Sequence, residues 1–246
     1  MPFDPTKYTV ESRPLPIILL VDKSLSMEGD KINSLNESLN EMLEVFKDLV
    51  AKETEINLSV ISFGEDVSYQ IPLQPVRNIN NIELKVGGRT PLGTALRMAK
   101  DLIEDREIIS KKGYRPVVVL LSDGQPTDDW QEALNNFVTT GRTKKCDRFA
   151  IAIGEDADKS VLSSFISGSA NNIFEAKEAS KIKDCLRMVT VGVTTRIMSD
   201  NPNRTVTIHD DILDIISNED YIEKSVTYVD PFDEDDVDFL DPNFLS

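Results

Sequence analysis

The chain reads as an open, doubly wound α/β protein: a mostly parallel sheet with one antiparallel edge hairpin, helices on both faces, and an acidic C-terminal tail. Three observations predict this. Short aliphatic runs at residues 15–21 and 117–121 have the continuous apolar character of strands buried on both faces. Segments with apolar residues three or four apart alternate with those runs, as helices covering a parallel sheet do. One strand pair is joined by a tight turn, which only antiparallel neighbours permit.

Taken in order, residues 15–21 form the first strand, which stops at Asp22 where polar residues begin. From about Asp30 to Lys52, Ile32, Leu35, Leu39, Met42, Leu43, Phe46 and Leu49 fall on one helical face, opposite Glu, Asn and Lys. Residues 56–63 (INLSVISF) predict a strand, Gly64-Glu65-Asp66 a turn, and residues 67–73 a partner strand that Pro72 and Pro75 confine to the edge. A loop over 78–89 leads through Gly87-Gly88 into a helix over 92–110, with Pro91 suited to its first turn. Residues 117–121 give the next central strand, ending at Ser122-Asp123-Gly124. Thr127 or Asp128 caps a helix to about Phe137, followed by a strand at 148–153, a helix from about Asp158, and a last helix over 178–198. These boundaries divide the chain into a lead-in (1–14), one domain (15–198) and an acidic tail (199–246).

Composition narrows the function. A net charge of −16 disfavours nucleic acid or an anionic membrane as partner, since both require clustered Lys and Arg. Much of the acidity lies at the end, where residues 210–246 hold thirteen Asp or Glu and one Lys. Hydrophobic residues recur among those acids, the mixture of a segment that docks on a partner or remains solvated. The start has no basic n-region or apolar h-region, and no apolar run approaches the ~20 residues of a membrane span, so the expected location is the cytoplasm. The two cysteines, Cys146 and Cys185, are far apart and form neither a CxxC motif nor a disulfide framework. The single histidine, His209, lies in the tail and leaves the domain without an imidazole base.

In such sheets ligands bind beyond the carboxyl ends of the strands. The polar residues there are Asp22, Ser24 and Ser26 in one loop, Thr90 after Gly87-Gly88-Arg89 in a second, and Asp123 in a third. Every donor is a hard oxygen, the set that suits octahedral Mg²⁺, with Mn²⁺ as a substitute. An extended loop turns alternate residues the same way, so Asp22, Ser24 and Ser26 are expected to face one ion. No phosphate-cradling glycine motif is present.

These residues, Asp22-x-Ser24-x-Ser26, Thr90 and Asp123-Gly, resemble the metal-ion-dependent adhesion site (MIDAS) of von Willebrand factor A (vWA) domains, and the resemblance covers roughly residues 15–198. It implies that Ser24 and Ser26 bind the metal directly, that Thr90 does so directly or through water, and that Asp22 and Asp123 act largely through water. It also implies a partner protein that offers Asp or Glu to the metal, and a binding module in place of an enzyme. The alternative is a metal-dependent hydrolase or phosphotransferase using Asp22 and Asp123. Leu25 stands where the family usually has Gly, Lys23 where it often has Thr, and Arg89 is an addition within the Gly-Gly-Thr pattern; Lys23 and Arg89 either add positive charge for an acidic ligand or are plain surface side chains. Arg13-Pro-Leu-Pro and the run from Ser122 to Trp130 resemble the bacterial TerY-like branch associated with tellurium resistance and stress. That resemblance implies an intracellular component acting with a protein kinase and a phosphatase.

Overall fold

The computed structural model describes residues 13–50, 55–199, 203, 205–208 and 226–229. A six-stranded sheet is built from β1 (Leu15–Asp22), β2 (Ile56–Phe63), β3 (Val67–Pro75), β4 (Val117–Ser122), β5 (Asp147–Ile153) and β6 (Ile173–Ala176), in the order β3-β2-β1-β4-β5-β6. All neighbours are parallel except β2 and β3. The helices are α1 (Asp30–Val50), α2 (Leu92–Glu104), α3 (Trp130–Thr139), α4 (Lys159–Ile166) and α5 (Ile182–Met198).

Alternation along β1 sorts the core into two layers. Ile17, Leu19 and Val21 face α1 and α5, packing with Leu35, Leu39, Phe46, Leu186 and Val189. Ile18 and Leu20 face α2, α3 and α4, packing with Leu96, Ile103, Phe137 and Phe165. Every residue of β1 is buried, which is why its sequence shows no polar alternation. The edge strand β3 carries Pro72 and Pro75 and is bulged against β2, with the Ser59 hydroxyl donating to the Ile71 carbonyl at 3.0 Å.

Several boundaries differ from the sequence expectation. The helix expected over 92–110 ends at Glu104. There the Asp105 side chain accepts the Glu107 amide at 2.9 Å, a local bond that competes with helix continuation. Ile109 is buried in the turn that follows, so the apolar spacing ran past the helix end. Strand β6 has four residues, too short for a pattern, and was missed within what read as an interval before the last helix. That helix begins at Ile182, after a 3-10 turn over Ala179–Lys181. Within the acidic tail, β7 (Thr205–Ile208) and β8 (Val226–Val229) form an antiparallel pair; apart from these, Ser199 and Asn203, that expected segment lies outside the described residues.

The strand order fixes where a ligand site can form. From β1 the chain moves to β2 on one side and later crosses to β4 on the other, so the connections diverge between β1 and β4. The loops leaving the carboxyl ends of these two strands are thereby separated by a crevice. Val21 pairs with Leu121, which sets Asp22 and Ser122 side by side at its floor.

Candidate metal centre

Asp22, the last residue of β1, is fully buried. One carboxylate oxygen accepts the Ser24 amide at 2.9 Å and the other accepts the Ser122 hydroxyl at 2.7 Å, tying the β1 loop to the end of β4. Burial pushes its carboxyl up to about 6; the hydrogen bonds from Ser24 and Ser122 oppose this and the nearby Asp123 charge adds to it.

Ser24 is extended, and Leu25–Met27 then forms a 3-10 turn closed by the Met27 amide donating to the Ser24 carbonyl at 3.0 Å. The loop is therefore not extended throughout, as the alternation argument had it. The turn swings Leu25 outward, 62% exposed, and Met27 into the core, and it still brings the Ser24 and Ser26 hydroxyls within 2.9 Å of each other. Ser26 in turn donates to Asp123 at 2.6 Å. Four of the five expected residues, Asp22, Ser24, Ser26 and Asp123, are thus joined by hydrogen bonds.

Thr90, the fifth, is buried and arrives by backbone contacts. Its amide donates to the Thr127 hydroxyl at 3.1 Å and its carbonyl accepts the Thr127 amide at 2.9 Å. A Cβ on Gly124 would lie 3.3 Å from the Thr90 hydroxyl and 3.7 Å from the Ser26 hydroxyl, so both face the space above that glycine. Gly88 makes the approach of this loop possible. It has φ +76°, and a Cβ there would lie 2.2 Å from the Glu65 backbone nitrogen. Next to it, the Gly87 amide donates to the Lys23 carbonyl at 2.8 Å, locking the second loop against the first.

Two residues outside the expected set take part. Lys31, in the first turn of α1, places its ammonium 2.5 Å from the second Asp123 oxygen and 3.2 Å from the Ser26 carbonyl. Ser122 orients Asp22. Ser122 was legible as part of the strand-end motif, whereas Lys31 read as one more cation on the polar face of a helix, and only the tertiary fold turns it towards Asp123. Lys23 departs from its expected role because its ammonium pairs with Asp66 at 2.6 Å and holds that carboxyl below its usual range. Arg89 is exposed, as a side chain that meets a ligand must be. Asp128 caps α2 in place of α3, accepting the Gly93 and Thr94 amides at 2.9 and 2.8 Å.

The donor set is two carboxylates and three hydroxyls, all hard oxygens, converging on one crevice without nitrogen or sulfur. Those residues fit a small hard dication and not a soft metal. Among the described residues no group of three or more His, Cys, Asp or Glu forms a carboxylate or imidazole cage, so any metal held here keeps much of its positive charge.

Comparison with known proteins agrees with this architecture. The family model described as von Willebrand factor type A domain matches residues 17–187. The chain is 25% identical over 209 residues to inter-alpha-trypsin inhibitor heavy chain H4 of Bos taurus, covering 78% of this chain and 22% of that protein. It is 23% identical over 153 residues to matrilin-3 of Gallus gallus, covering 58% and 32%. Among solved structures it is similar to the ArnB paralog VWA2 from Sulfolobus acidocaldarius, with TM-score 0.53, 20% identity and coverage of 73% of this chain and 45% of that one. It is also similar to a von Willebrand factor type A structure from Catenulispora acidiphila, with TM-score 0.55, 14% identity and coverage of 74% and 42%. The chain spans about a third or less of these curated relatives and under half of these structures. With a family match extending over more than half its length, the chain belongs to the von Willebrand factor type A domain family.

Proposed function

We propose that this protein is a metal-dependent protein-binding module, in which Asp22, Ser24, Ser26, Thr90 and Asp123 form a MIDAS that holds Mg²⁺, or Mn²⁺ in its place. Domains of this family typically bind a divalent metal, and the observation that carries the reading is the hydroxyl-rich cluster linking Ser24, Ser26 and Asp123 beneath Thr90. A divalent ion coordinated largely by neutral hydroxyls and water supplies an electrophilic position for an anionic oxygen. Ser24 and Ser26 bind, Asp22 and Asp123 orient the shell, and the partner contributes Asp or Glu.

Isothermal titration with Mg²⁺ and Mn²⁺ tests the site. Wild-type protein binds one ion, and Ser24→Ala or Asp123→Ala lowers the affinity at least about tenfold, a loss of about 1.4 kcal/mol. Equal affinity in all variants removes the assignment.

A hydrolase or phosphotransferase using Asp22 and Asp123 is the competing reading. Asp22 is buried and both its oxygens accept hydrogen bonds, an arrangement that orients a carboxylate and does not free it for attack. Asp123 is held by Ser26 and Lys31. These contacts favour binding over catalysis. A phosphatase and nucleotidase screen with Mg²⁺ and Mn²⁺ that shows turnover abolished by Asp123→Ala would reverse the choice.

The setting we propose is a cytoplasmic bacterial scaffold of the TerY-like branch, acting with a protein kinase and a phosphatase. The supporting features are Arg13-Pro14-Leu15-Pro16 and the run from Ser122 to Trp130. Cell fractionation that recovers the protein outside the cytoplasm contradicts this setting.

A further inference from the structure

Two side chains flank the metal centre without belonging to its donor set. Leu25 stands one residue before Ser26 and Arg89 one residue before Thr90, and the Ser26 and Thr90 hydroxyls face the same space above Gly124. The Leu25 amide donates to the Gly88 carbonyl at 3.2 Å. That carbonyl belongs to the peptide bond leading into Arg89, so Leu25 and Arg89 adjoin where the two loops meet. Of the five donor residues Asp22, Ser24, Thr90 and Asp123 are buried and Ser26 is exposed, so the site opens beside Leu25.

Neither side chain serves the fold. Leu25 is 62% exposed and packs with neither core layer, and its bond to Gly88 is a backbone contact that any residue except proline can make. A single exposed leucine is ordinary on a protein surface, but this one is held at the mouth of the site by that bond. Arg89 is exposed and forms no hydrogen bond or ion pair among the described residues. Other cations on the surrounding loops and helices are engaged: Lys23 with Asp66 at 2.6 Å, Lys31 with Asp123 at 2.5 Å and Arg97 with Asp128 at 3.8 Å. Glu65 is exposed beside Gly87 in the adjoining turn, without an ion pair to Arg89. The mouth therefore presents an apolar side chain and an unpaired guanidinium next to each other. A guanidinium takes a carboxylate bidentately, and an apolar side chain laid on Leu25 removes apolar surface from water on both partners.

We infer that Leu25 and Arg89 select the partner, an inference that rests on the metal-site reading above. The partner segment carries an apolar side chain and a second carboxylate next to the carboxylate it gives to the metal. Leu25 receives the apolar side chain and Arg89 the second carboxylate. The metal supplies affinity for any exposed Asp or Glu, and these two side chains restrict binding to acidic residues in that setting.

Fluorescence anisotropy of the full chain with short labelled peptides tests the inference. Each peptide has a central Asp, with Leu or Ser on one side and Glu or Gln on the other, in both orders, and is titrated in Mg²⁺ and in EDTA. In Mg²⁺ a peptide with both Leu and Glu is expected to bind about tenfold more tightly than one that lacks either, a difference of about 1.4 kcal/mol. Leu25→Ser abolishes the preference for Leu and keeps that for Glu, while Arg89→Gln abolishes the preference for Glu and keeps that for Leu; both variants retain Mg²⁺ binding by calorimetry. Metal-dependent binding with no preference among the peptides, or variants that weaken every peptide equally, overturns the roles of Leu25 and Arg89 and leaves the metal site standing. Absence of binding by the Leu- and Glu-containing peptides up to about 1 mM overturns those roles too. Binding that is equal in Mg²⁺ and EDTA overturns the metal-site reading and this inference with it.

Discussion

The ammonium of Lys31 lies 2.5 Å from an oxygen of Asp123, on the carboxylate whose other oxygen accepts from Ser26 at 2.6 Å. A fixed positive charge therefore abuts the shell proposed to hold a dication. Such a charge raises the energy of the metal-loaded state by repulsion and stabilises Asp123 when no metal is bound. Lys31→Met, which preserves most of the length of the side chain, is predicted to tighten Mn²⁺ binding by about tenfold, equivalent to about 1.4 kcal/mol. Calorimetry with unchanged or weaker affinity contradicts that role for Lys31.

Asp22 gives the site a pH dependence with a definite sign. Its carboxyl is raised from 3.8 to about 6 by burial, so without metal the folded state holds this proton more tightly than the unfolded chain does. The stability from this preference is complete below pH 3.8 and disappears as the pH rises through about 6. Asp22→Asn is accordingly predicted to raise the Tm of metal-free protein at pH 7, by about 5 °C. For metal binding the direction is opposite, because the ion requires the ionised shell: wild-type affinity falls as pH drops below about 6, with proton release on binding. A pH-independent affinity between 5 and 7 contradicts this assignment, those limits bracketing about 6.

The sheet was legible in the sequence for a physical reason, and so was the placement of the candidate site residues at its strand ends. Strands β1 and β4 are buried on both faces and so are uniformly aliphatic, and polar residues placed directly after them mark the ligand crevice. Contacts made across the fold were not legible. Asp128 stands before α3 in sequence but caps α2 in space, and Lys31 reaches Asp123 from a helix surface. Strand β6 is visible only by its pairing with β5.

The Asp128 cap predicts a stability effect separable from metal binding. Its carboxylate accepts two α2 amides and the Thr94 hydroxyl at 2.9 Å. Asp128→Ala is expected to cost about 1–2 kcal/mol in urea unfolding, and Asp128→Asn to recover only part of it, because its one amide oxygen replaces one of the two acceptors. Unchanged stability of Asp128→Ala contradicts the cap.

Gly88 controls the position of Thr90. A side chain there meets the Glu65 backbone at 2.2 Å and imposes φ +76° on a residue that disfavours it. Gly88→Ala is predicted to lower Mn²⁺ affinity by more than about tenfold while circular dichroism remains that of the wild type. Retained affinity means that the second loop does not position a ligand.

Partner capture tests the central claim most directly. Wild-type protein and Asp22→Ala/Ser24→Ala are each used as bait from native cells, in Mg²⁺ and in EDTA, and the retained proteins are identified by mass spectrometry. The account predicts a set of partners held by the wild type in Mg²⁺ and lost with both EDTA and the double variant. Partners retained in all four conditions contradict it and place the binding function outside the metal centre.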